Sequence, residues 1–241
     1  MKHWSAWFTL IAVAAFVLSP LVTDPFSGFD PARFPVPQID PPVQPAGYAF
    51  GIWGVIYLWL CVFGVMGVTP ARRADPGWQA VHWPLVLSLA PGAFWLWIAG
   101  FAPIAATLLI FWMAGFAILA LLRAPRADRW LVQAPVALYA GWLTAAAHVS
   151  LGVNLAGFGL LSETGAAILS LASATLITVI VQTRRPHVPE YGAAVIWALI
   201  GVLAANLGGA AVILSVTTLA IVLTSAVMLR GLWSGQTEAR L

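Results

Sequence analysis

Residues 48–68 read Tyr48-Ala-Phe-Gly-Ile-Trp53-Gly-Val-Ile-Tyr57-Leu-Trp-Leu-Cys61-Val-Phe-Gly-Val-Met-Gly-Val68, without one charged side chain. A helix rises about 1.5 Å per residue, so a run of this length covers about 30 Å, the thickness of a bilayer's hydrocarbon core. Seven further runs of the same kind follow from the chain: 4–23, 82–100, 101–122, 131–151, 163–183, 191–207 and 209–229. The third and fourth are parted by Gly100 and Pro103, and the last two by Gly208-Gly209. The expected fold is therefore all-α, a polytopic transmembrane helix bundle of about eight spans. Composition agrees. Only 8% of the 241 residues are charged and 61% are hydrophobic, whereas a soluble domain carries roughly 25% charged residues. The N-terminal run beside Lys2 and His3 is too long for a signal-peptide core and lacks a small-residue cleavage site, so it reads as a retained first helix.

Charge placement gives orientation. With the N-terminus inside, the inner segments hold Lys2, Arg72, Arg73, Arg123, Arg126, Arg129, Arg184, Arg185, Arg230 and Arg240, and the outer loops hold Arg33 alone. This is the positive-inside bias. It predicts cytoplasmic termini and an even number of spans; a bacterial inner membrane is the expected location. The net charge of +3 does not signal nucleic-acid binding, because the basic residues are scattered between apolar runs rather than gathered on one polar face. The single cysteine, Cys61, can form no internal disulfide and reads as packing.

The one long outer loop, residues 24–47, holds Pro25, Pro31, Pro35, Pro37, Pro41, Pro42 and Pro45 together with Phe26, Phe29 and Phe34. Proline excludes a regular helix, and the rings are poorly solvated in an open loop. The loop is expected to fold back over the helix ends as a lid; a stiff connector is the plainer alternative.

Thirteen tryptophans are a large excess. Trp4, Trp7, Trp78, Trp83, Trp130 and Trp233 fall near inner span ends, where an interfacial aromatic belt accounts for them. The others lie deeper or outward. Phe50, Trp53 and Tyr57 share one helix face at i, i+3, i+7, with Trp53 about 8 Å below the outer surface. Trp95 and Trp97 sit near the outer end of the third span, and Tyr139 and Trp142 on one side of the fifth. If these spans are neighbours, the rings enclose a cavity suited to a large, flat, mostly apolar ligand; packing and lipid contact are the plainer reading. His148, within the fifth span, is a candidate ligand contact or iron ligand, although it lies about 120° around the helix from Trp142. His82 and His187, at inner boundaries, are expected to be solvated. Gln133 and Asn206 read as helix–helix hydrogen-bonding groups.

The spans carry no interior Asp, Glu, Lys or Arg, which disfavours an ion-coupled pump. Phosphate-binding loops, zinc-binding helices and catalytic triads are absent from the sequence. Binding is favoured over turnover.

The segment Pro45-Ala-Gly-Tyr48-Ala-Phe50-Gly-Ile-Trp53-Gly-Val-Ile-Tyr57 resembles the signature of the TspO/MBR family, the tryptophan-rich sensory proteins related to the mitochondrial translocator. Phe94-Trp95-Leu-Trp97 and Tyr139-Ala-Gly-Trp142 are similar to the family's aromatic third and fifth helices. The resemblance covers residues 1–151. It implies a five-helix core that binds a tetrapyrrole such as porphyrin or haem, or a sterol-like ligand, beneath the first loop, with no required cofactor and with homodimerisation by analogy. Trp53, Tyr57 and Trp142 are the positions carried over as pocket residues. Residues 152–241 would then add three helices and a short cytoplasmic tail. The chain departs from the pattern in having Ser150 where the fifth helix usually has asparagine, and a Phe50–Trp53 spacing one residue shorter. The expected function is sensing or binding of a planar apolar ligand. A secondary transporter for a small neutral or amphipathic solute is the alternative, and a membrane-embedded enzyme acting on the bound ligand a third reading.

Overall fold

A computed structural model describes residues 4–24 and 26–238, with side chains through Trp233; Lys2, His3, Pro25 and Arg240 lie outside the described residues. Eight long helices follow one another: α1 (Trp4–Leu18), α2 (Ile52–Gly67), α3 (Pro76–Gly92), α4 (Pro103–Arg123), α5 (Ala134–Gly157), α6 (Glu163–Arg184), α7 (Pro189–Ala205) and α8 (Ala211–Glu238). No strand occurs among the described residues. Among the described residues, six helical stretches are long and apolar enough to cross a membrane, and α7 is a shorter apolar helix. The chain is a multi-pass membrane protein.

The axis of the bundle is α5. Of its spanning stretch 78% is buried, against 22–44% for the other five, and it packs on α2, α4, α6 and α7. Small residues make this possible: a Cβ on Gly141 would overlap the backbone carbonyl of Tyr191 on α7, so the two helices touch backbone to backbone. Several polar groups buried along α5 are paired. Thr144 Oγ1 meets the Tyr191 hydroxyl at 2.9 Å, and Asn154 Nδ2 donates to Thr107 Oγ1 on α4 at 2.8 Å. Helices α6, α7 and α8 continue the same packing. The turn expected at Gly208-Gly209 separates α7 from α8, with Gly208 at φ +85°, a conformation that glycine adopts without strain.

The third span differs from the expected 82–100. Asp75 caps α3 by accepting from Trp78 N, so the helix begins six residues earlier, at Pro76, and stops at Gly92 before a single further turn, Trp95–Ala99. Pro91 explains the break. It has no N–H for the carbonyl of Leu87, which instead accepts the Trp112 indole N–H from α4 at 2.9 Å.

Two expectations at the opposite end are corrected. Trp78 is not a belt residue: it is 1% exposed, stacks on Phe63 at 5.3 Å and donates to Asp128 at 2.8 Å. His82 is not solvated: it is buried and its Nδ1 lies 3.1 Å from Thr9 Oγ1. The early start of α3 carries both rings inside. Trp4, Trp7, Trp83, Trp130 and Trp233 are exposed, as a belt requires.

Candidate functional site

The loop 24–47 lies against the helix ends. Its hydrophobic side chains dictate how: Phe29, Phe34 and Val43 are buried, Phe26 meets Trp95 edge-on at 4.9 Å, and Phe34 meets Phe158 at 5.6 Å. Backbone bonds fix the downstream part. Val36 N donates to Gly157 O on α5 and Ala46 N to Gly201 O on α7. Asn206, at the end of α7, donates to Pro42 O at 2.9 Å, and Trp197 donates to Ala49 O at 2.8 Å. Asn206 therefore holds the loop rather than a neighbouring helix. Gly157 and Gly201 are required by this close approach: a Cβ on the first would overlap the Phe34 ring, and one on the second would come within 2.8 Å of Pro45 and Ala49.

Beneath the loop is a cavity of about 230 Å³. Of the eight residues singled out from sequence, Phe50, Trp53, Tyr57, Trp95 and Trp142 line it. Trp53 and Tyr57 stack at 5.2 Å, and Trp142 stands edge-on to Trp53 at 6.1 Å and to Phe50 at 6.0 Å. Trp95 closes the opposite side, held by an indole bond to Ala106 O at 2.8 Å.

The other three lie off the cavity. Trp97 is 63% exposed and packs on Phe101. Tyr139 sits behind the wall; Ser88 Oγ gives its proton to Met113 O, so the Tyr139 hydroxyl donates to Ser88. His148 turns its Nδ1 to Thr144 O at 2.7 Å and its ring to Phe111, the rotation away from Trp142 that the helical spacing anticipates. No group of three or more metal-ligating side chains occurs among the described residues.

Sequence reasoning missed other contributors, two of which are instructive. Phe16 of α1 makes edge contacts with Trp53 and Tyr57, each at 5.7 Å; as a ring in an otherwise mostly aliphatic helix it was open to notice. Ala198 of α7 also lines the cavity, and a methyl group in an apolar run carries no such signal.

The cavity's wall is not wholly apolar, and Tyr57 and Ser150 are among its polar residues. Ser19, Asp24 and Gln44 lie on its wall toward the loop. Deeper in, the Trp142 indole N–H is buried with no acceptor among the described residues. A buried donor left unpaired costs about 1–3 kcal/mol, and this one belongs to a wall residue of a hollow.

Residues 5–230 match the sequence model of the family described as TSPO-like protein. The chain belongs to that family. The match runs from α1 into α8, beyond residues 1–151, which carry the recognisable motifs. Comparison with curated proteins and with solved structures found no match.

Proposed function

We propose that this TSPO-like protein binds a planar, mostly apolar ligand, of tetrapyrrole or sterol-like type, in the cavity between α2, α5 and the 24–47 loop. The observation that carries the reading is the convergence of Trp53, Tyr57, Trp95 and Trp142 on one loop-covered hollow. An apolar ligand already dissolved in the bilayer gains little from hydrophobic burial, because lipid tails are as apolar as the site. Selectivity then comes from ring contacts, each about 0.5–1.5 kcal/mol, and from a hydrogen bond to Trp142 Nε1. Neither His82 nor His148 reaches the cavity wall, so a tetrapyrrole is held by its faces and edges and not through an imidazole–iron bond.

The volume sets a further condition. Pockets for drug-sized ligands measure roughly 300–1,000 Å³, and the hollow is about 230 Å³. A ligand of two or three fused rings fits with the loop in place; a whole macrocycle requires the loop to lift. The arginine distribution supports cytoplasmic termini, with the loop on the outer face of a bacterial inner membrane.

The test is titration of the purified protein with a porphyrin while tryptophan emission is followed. Saturable quenching is expected, weakened about tenfold by Trp53→Ala. Quenching no greater than that of an unrelated tryptophan-rich membrane protein refutes the reading. Transport remains the second reading, favoured by the small volume, which admits a compact solute; flux of such a solute in proteoliposomes decides it.

A further inference from the structure

We propose a second site, at the end of the bundle opposite the loop: a cradle of arginines that binds the phosphate of an anionic membrane lipid. It is formed where the α4–α5 connection meets the α6–α7 turn. Two guanidinium–carbonyl bonds lace these segments together. Arg185 donates to Ala124 O at 2.8 Å, and Arg129 donates to His187 O at 2.8 Å. The crossing brings Arg126 of one segment within electrostatic reach of Arg185 of the other, with Arg123 and Arg184 near them in sequence.

Charge accounting shows what the cradle lacks. The acidic groups nearby are already engaged. Glu190 is paired with Arg129; Asp128 accepts from the Trp78 indole and pairs with Arg72 at 3.7 Å. Arg123, Arg126, Arg184 and Arg185 have no carboxylate partner among the described residues. The first three are exposed and Arg185 is half-buried. Burial, and then the positive charge of Arg126, pull the Arg185 guanidinium below its ordinary range. Like charges held together by the fold without a counter-charge form a site for an anion.

The source of the anion follows from depth. Trp130, next to Arg129 and within 5.1 Å of its guanidinium, is 63% exposed, as a ring at the lipid headgroup level should be. The cradle thus lies where lipid phosphates are, and basic clusters between helix ends recognise such headgroups. A soluble acidic protein would have to reach past that layer.

The experiment uses the full chain in neutral detergent, with native mass spectrometry counting retained lipid. Phosphatidylglycerol is expected to be retained over phosphatidylcholine, less so as sodium chloride rises. Each arginine contributes about a fivefold factor, so Arg126→Gln with Arg184→Gln should weaken retention more than tenfold, while Arg33→Gln at the opposite end leaves it unchanged. Both altered side chains are exposed, and the salt dependence of the unaltered protein gives a readout that needs no variant. Equal retention of the two lipids, retention indifferent to salt, or a double variant that binds like the parent overturns the proposal. So does inorganic phosphate that displaces the lipid at an ionic strength where sodium chloride does not, since the cradle would then be a site for a soluble anion.

Discussion

The Trp142 indole is a buried donor without an acceptor among the described residues. Trp142→Phe removes the donor and keeps an aromatic wall. The expected result is a melting temperature within a few degrees of the parent, because the lost packing is offset by the removal of an unsatisfied polar group. Affinity for a porphyrin or any ligand with an edge acceptor should fall about five- to thirtyfold by emission quenching; unchanged affinity would mean that the N–H never meets the ligand. Tyr139→Phe makes a contrast. It removes a buried hydroxyl bonded to Ser88 behind the wall and should lower stability by about 1 kcal/mol in a thermal melt without altering ligand affinity. The chemistry-bearing rings of the wall were legible from sequence because i, i+3, i+7 spacing puts them on one face. The burial of Trp78 and His82 was not, because it depends on where α3 starts, and a single Asp75 cap moves that start by nearly two turns.

At the scale of elements, the 24–47 loop is the part whose behaviour function depends on. Its downstream portion is fastened through Val36, Pro42, Ala46 and Ala49, whereas Phe26 and Phe29 rest on Trp95 by ring contact. Lifting for a large ligand should therefore begin at residues 26–34. Gly157→Val thrusts a branched side chain into the Phe34 ring and should undock that portion. We expect cleavage between residues 26 and 36 by a low dose of protease at least fivefold faster than in the parent, with the helices protected; equal cleavage rates would show that the ring contact does not hold the loop. That the loop would fold back was readable from its rings, which water solvates poorly. Its anchorage on α7 was not, because Gly201 and Asn206 lie about 160 residues away in sequence, and a glycine in an apolar run does not announce a backbone contact.

For the whole molecule, the run lengths and the arginine distribution carried the spans and their order, because a bilayer imposes one length and one charge asymmetry on every crossing. Orientation is tested by cysteine labelling in intact cells from which Cys61 has been removed. A cysteine at position 33 should react with an impermeant maleimide, and one at position 126 only after permeabilisation; the reverse pattern would invert the topology. Helix α7 has a consequence of its own. One terminus grips the roof of the hollow through Asn206 and Pro42, and the other, about 25 Å away, presents Glu190 to Arg129. It is thus a strut between the loop-covered end of the bundle and the arginine-bearing end. A guest that lifts residues 26–34 can therefore enter without disturbing this rod, because the stretch fastened to it lies downstream of the part that moves.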